Sequence, residues 1–123
     1  MKSYGVMSNL PVILIIEDDH MLGSTYVDIL TMNDYAPMLI GDGRKALEYL
    51  EHNVPDIILV DYNLPQVNGI EIINFIREDE RFLQTRIALL TADKSIKQSG
   101  ADFILYKPFG FDEIIDVVEK CVS

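Results

Sequence analysis

Asp56-Ile57-Ile58-Leu59-Val60-Asp61-Tyr62-Asn63-Leu64-Pro65 decides how this chain folds. Its apolar run suits a buried strand in length and composition. It ends on a carboxylate followed by turn-forming residues. Upstream, Val12-Ile13-Leu14-Ile15-Ile16 repeats the pattern and ends on Glu17-Asp18-Asp19. Runs that are apolar throughout, rather than alternating, imply a sheet covered on both faces. In an open parallel sheet, the C-terminal strand edge is where sites are built. Carboxylates crowded there repel one another unless a cation joins them. The pattern predicts a Mg²⁺ site around a reactive aspartate.

The rest of the chain alternates in the same way. Amphipathic stretches at His20–Asn33, Arg44–His52, Gly69–Arg77 and Phe111–Val122 read as helices. Their expected inward residues are Leu22, Ile29 and Leu30; Ala46, Leu47 and Leu50; Ile70, Ile73 and Ile76; and Ile114, Ile115 and Val118. Ala36–Ile40, Ile87–Leu90 and Phe103–Tyr106 read as further strands. Alternating strands and helices imply right-handed βαβ units. The prediction is an α/β, doubly wound, five-stranded parallel sheet in the flavodoxin-like order 2-1-3-4-5, which brings Glu17, Asp18 and Asp61 together. Residues 1–10 are expected to be an N-terminal extension and 11–123 one domain.

With 123 residues, 49% of them hydrophobic, the chain can bury a core. A net charge of −10 argues against direct binding to a nucleic-acid backbone. No apolar run approaches a membrane span and no leader is evident, which predicts a cytoplasmic protein. Cys121 is the single cysteine, so an internal disulfide and a cysteine metal cluster are excluded; its expected role is packing. His20 and His52 are expected at the surface.

An aspartate carboxylate can attack phosphorus and form an acyl phosphate if the phosphoryl charge is neutralised. Mg²⁺ supplies that, held by one or two carboxylates, waters and a carbonyl. Asp18 and Asp61 are the candidate direct ligands, Glu17 a ligand through water, and the Asn63 carbonyl a further one. Lys107 and Thr91, at the ends of strands five and four, offer a second cation and a hydroxyl, and Ala92 leaves room for the phosphoryl group. Singly, these residues have plainer readings. Asp18 and Asp19 could cap a helix, Asp61 a turn, Thr91 could end a strand, and Lys107 could be solvated.

Together, Glu17-Asp18, Asp61 with Asn63-Leu64-Pro65 and Gly69, Thr91-Ala92, and Lys107-Pro108-Phe109 resemble the receiver domain of two-component response regulators. The resemblance covers Val12 to Val122. It implies that Asp61 accepts a phosphoryl group from a phosphohistidine on a sensor kinase or histidine phosphotransfer protein. It also implies Mg²⁺ on Asp18 and Asp61, with Glu17 beside them. Lys107 would contact the phosphate, Thr91 would be the switch hydroxyl, and the Lys107–Pro108 bond would be cis.

Two departures stand out. Thr91 and Lys107 are only 16 positions apart, fewer than the family usually has. Asp93–Ser99 has room for about two helical turns at 3.6 residues each, so the fourth helix is expected to be a single turn or a loop. At Ile104, three residues before Lys107, the family usually carries a switch aromatic. Phe103 would face the other side of the strand, while Tyr106 shares the face of Ile104. The shortened connection is expected to uncover Leu89 or Leu105 and to alter the interface, as a non-standard dimer through residues 93–106 or a dedicated partner. Asn63 and Asp93 are expected to flank an attacking water, so that the phosphoryl group turns over.

The leading expectation is a phosphorylation-dependent signalling module rather than an enzyme, acting on a downstream protein. The Met1 start and short end favour a stand-alone form. The alternative is a pseudo-receiver that binds partners without phosphorylation. A flavodoxin or dinucleotide enzyme lacks its phosphate loop here. A phosphatase lacks a second acid two residues after Asp61.

Overall fold

The computed structural model describes residues 10–123, so most of the expected N-terminal extension lies outside the described residues. The parallel strands are β1 (Ile13–Ile16), β2 (Pro37–Ile40), β3 (Ile57–Asp61), β4 (Arg86–Thr91) and β5 (Phe103–Tyr106). Their order is β2-β1-β3-β4-β5, as expected. The helices are α1 (His20–Met32), α2 (Gly43–His52), α3 (Gly69–Arg77) and α4 (Phe111–Val122), with a 3₁₀ turn at Glu80–Phe82.

Alternate strand residues serve opposite faces. Ile13, Ile15, Ile57, Leu59 and Leu90 pack against Tyr26, Ile29 and Leu30 of α1 and Ile114 and Val118 of α4. Leu14, Ile16, Ile58, Val60 and Leu89 pack against Ala46 and Leu50 of α2 and Ile72, Ile73 and Ile76 of α3. Each fully buried aliphatic side chain contributes about 1.5–3 kcal/mol of transfer free energy. Side chains also start the helices: Asp19 accepts from the Leu22 amide, Asp42 from the Arg44 and Lys45 amides, and Asn68 forms a reciprocal box with Glu71. The capping reading of Asp19 is therefore correct. Cys121 is buried, and burial pushes its thiol up to about 11, as suits a packing residue.

Two expectations fail. Leu22 points outward, 38% exposed. Gly23 lets α1 approach Leu39 so closely that an added Cβ would lie 2.8 Å from its methyl carbons. This turns the Gly23, Tyr26, Ile29 and Leu30 face inward. Nor are Leu89 and Leu105 uncovered: both are buried. The β4–β5 connection, residues 92–102, carries no helix, as expected, but its Ile96 and Ala101 pack over the second core cluster, alongside Ile104.

Candidate functional site

The register of the sheet builds the site. Ile16 pairs with Val60, so Glu17 and Asp61 leave neighbouring strands side by side. Asp61 pairs with Leu90, which sets Thr91 one step beyond. Thr91 pairs with Tyr106, and Lys107 follows. The turn after β3 is held by the Gly69 amide on the Tyr62 carbonyl at 2.9 Å. Gly69 has to be glycine there, because a Cβ would lie 2.5 Å from the Asp61 carbonyl oxygen.

Glu17, Asp18 and Asp61 each offer a carboxylate oxygen, all within 4.8 Å of one another. Glu17 and Asp61 are buried and Asp18 is exposed. Lys107 Nζ donates to Asp61 Oδ1 at 2.5 Å and reaches Glu17 Oε1 at 3.4 Å. Lys107 is therefore not a solvated lysine. The Lys107–Pro108 bond is cis.

Burial dominates the electrostatics. It raises the Asp61 carboxyl above its ordinary range, although Lys107 pulls the other way. Burial and then the Asp61 charge raise Glu17 likewise. For Lys107, burial favours loss of the proton, but its hydrogen bond to Asp61 and the two carboxylate charges outweigh this and raise it. Burial thus opposes ionisation of both carboxyls even beside an ammonium, and a further cation in the pocket would favour their charged forms. Three hard oxygen donors at this spacing fit a small divalent cation.

The remaining predicted residues lie close by in different settings. Asn63 is exposed, and its backbone amide works against the rise of the Asp61 carboxyl. Thr91 is buried, and its hydroxyl accepts from the Asp93 amide at 3.0 Å. Asp93 is engaged with Ser95: its Oδ1 accepts from the Ser95 amide and hydroxyl. Ala92 lines an apolar groove with Leu22, Tyr26, Lys107 and Phe109. Ile104 is half-buried in the second cluster. His20 and His52 are exposed. One residue escaped sequence reasoning. Arg77 anchors the helixless connection, its guanidinium donating to the Gly100 and Thr85 carbonyls and to Asp102. A lone arginine ending an amphipathic stretch carries no signal of that role.

Residues 13–119 match the family model described as the response regulator receiver domain. The chain belongs to that family. Receiver domains are signalling modules of two-component systems, not enzymes in the ordinary sense. This one is 35% identical over 121 residues to the transcriptional regulatory protein BaeR of Escherichia coli O6:H1, covering 94% of this chain and 49% of that protein. The chain thus spans about half the length of that relative. It is 25% identical over 114 residues to the polar-differentiation response regulator DivK of Brucella ovis, covering 88% of this chain and 93% of that one. Among solved structures, the receiver domain of sensor histidine kinase PA1611 from Pseudomonas aeruginosa, with a magnesium ion in its active-site cleft, superposes with a TM-score of 0.83 at 27% identity, covering 93% and 99% of the two chains. Chemotaxis response regulator CheY4 of Vibrio cholerae shares the fold, with a TM-score of 0.85 at 24% identity over 92% and 99%. No helix among the described residues is long and apolar enough to cross a membrane.

Proposed function

We propose that this receiver accepts a phosphoryl group on Asp61 from a phosphohistidine of a sensor kinase or histidine phosphotransfer protein, in the cytoplasm, and thereby changes its contacts with a downstream protein. An Asp61 carboxylate oxygen attacks phosphorus. The P–N bond breaks, and the imidazole leaves with its electron pair and takes a proton from solvent. One observation carries the reading: Asp61, 3% exposed, shares its pocket with two further carboxylates and the Lys107 ammonium. Asp18, Asp61, the Asn63 carbonyl and, through water, Glu17 would hold Mg²⁺, which when bound supplies positive charge for the phosphoryl oxygens. Lys107 would bind the phosphoryl group from the other side, and Thr91 would donate its hydroxyl. The magnesium in the PA1611 receiver supports the metal assignment.

The groove between α1 and α4, beside Lys107 and lined by exposed Leu22 and Phe111, is the apolar surface on which the phosphohistidine protein would dock. The downstream contact, or a non-standard dimer, would use residues 93–106, where Ile96, Ile104 and Tyr106 are half-buried. Sedimentation showing a strict monomer with and without a phosphoryl mimic removes the dimer.

The deciding experiment is intact mass after incubation with acetyl phosphate and Mg²⁺. One added phosphoryl group, absent from Asp61→Asn and from an EDTA control, is expected. A folded protein that gains nothing from acetyl phosphate or from a phosphohistidine protein would be a pseudo-receiver.

A further inference from the structure

The chain between β5 and α4 has little backbone to hold it. The Lys107 amide donates to the Thr91 carbonyl at 2.8 Å, and the Gly110 amide to the Glu113 side chain at 2.8 Å. Among the described residues, no backbone hydrogen bond involves Pro108 or Phe109. Lys107, beside them, still carries its ammonium across to Asp61 and Glu17 at other strand ends. Its four-carbon stem has many rotamers, and ordering them costs entropy.

An aromatic pair ties this corner to the core. The Phe109 ring stacks on Tyr26 of α1, with centroids 5.6 Å and planes 27° apart. Tyr26 is 5% exposed and belongs to the first core cluster, and Phe109 packs half-buried against that cluster. Tyr26, Lys107, Pro108 and Phe109 line one groove. Burial pushes the Tyr26 phenol up to about 12, against the pull of the nearby Lys107 charge, and no hydrogen bond among the described residues engages its hydroxyl. The ring is therefore what anchors Phe109.

We propose that Tyr26 is a positioning residue for Lys107: its ring fixes Phe109, and through it the 107–109 corner, so that the ammonium stays on Asp61. The proposal rests on Asp61 as phosphoacceptor and Lys107 as the group that binds the phosphoryl oxygens. A stacked pair contributes beyond its buried area. Lys107 also competes with Mg²⁺ for the Asp61 carboxylate. Loosening the corner thus has two effects of opposite sign. Phosphoryl uptake slows, because the ammonium is less often in place. Mg²⁺ binding tightens, because less positive charge opposes it. A general loosening of the fold would weaken both.

The test measures Mg²⁺ affinity by NMR titration and mass gain from acetyl phosphate, both well below the melting temperature. Tyr26→Leu should slow the gain about tenfold, the scale of one aromatic pair, and bind Mg²⁺ at least about twofold tighter. Phe109→Leu breaks the same pair from its outer side and should match it, which covers a Tyr26→Leu that does not fold. Tyr26→Phe keeps the ring and should bring both readings within about twofold of the wild type. On Lys107→Ala, Tyr26→Leu should leave Mg²⁺ affinity unchanged, since a residue acting through another is not additive with it. Weaker Mg²⁺ binding when the pair is broken, a Tyr26→Phe as slow as Tyr26→Leu, or a further Mg²⁺ shift on Lys107→Ala overturns the proposal. A wild type that gains no phosphoryl group sinks the Asp61 reading, and the proposal with it. A wild type that gains one as slowly as the broken pair sinks the positioning alone.

Discussion

Two connections flank β4, and they hold their strands by different means. Between β3 and β4, α3 and the 3₁₀ turn bury Ile72, Ile73, Ile76 and Phe82 almost completely. A helix satisfies its own backbone, so all its inward surface goes to the core. Between β4 and β5 there is no helix, and the backbone needs partners from elsewhere. Arg77 supplies several, because a guanidinium presents five donors in a fixed plane. The firm connection begins at Asp61 and the loose one at Thr91. The site therefore joins a half whose connection is packed through a helix to a half whose connection is held by side-chain hydrogen bonds and a few apolar contacts.

The largest effect that would sharpen this contrast is in the core. Ile73→Ala should cost about 2–5 kcal/mol in urea unfolding, and Ile96→Ala, half-buried on the loop, about 1 kcal/mol or less. Equal losses would break the comparison. Arg77→Ala should cost about 1–3 kcal/mol by leaving the Gly100 and Thr85 carbonyls without their donor, and exchange should accelerate at residues 99–102. Arg77→Lys should recover only part, since an ammonium lacks the planar fork.

A smaller effect lies at the acidic edge, with the opposite sign. Burial raises Asp61 and Glu17, so the fold favours their protonated forms. That stability is present below the ordinary carboxylate range and is lost as pH rises through the folded-state values. At neutral pH without divalent cations, Asp61→Asn should therefore melt higher than the wild type. The difference should vanish near pH 3–4, about the ordinary carboxylate range. Mg²⁺ should raise the melting temperature of the wild type more than that of the variant. Replacing Asn63 and Asp93 by apolar residues should lengthen the phosphoryl lifetime, measured by the decay of the mass gain. An unchanged lifetime would remove both from the path of the attacking water. Least of all, Lys94→Ala on the exposed loop should stay within about 0.5 kcal/mol.

The carboxylates were legible because the apolar runs before Glu17 and Asp61 reveal both the strands and their ends. Thr91 and Lys107 were legible for the same reason. The shortened fourth crossover could be read from the 16-position spacing set against the family's usual length. Leu22 was misplaced because helical periodicity sets a spacing but not a phase, and the phase of α1 came from the contact of Gly23 with Leu39. The expected exposure failed for two reasons: Ile96 and Ala101 of the loop cover the face that holds Leu89, whereas Leu105 lies on the opposite face with Ile114 and Val118 of α4.

By itself, the sequence determined the strand pattern, the acids at the strand ends and a fourth crossover too short for a full helix, since all of these follow from local runs and spacings. Only the tertiary structure decided that Lys107 rests on Asp61, that Arg77 anchors the loop and that Tyr106 closes it onto Ile96. Those contacts join residues 46, 23 and 10 positions apart. No local pattern specifies them, because they form only after hydrophobic burial has fixed the sheet and its helices in place.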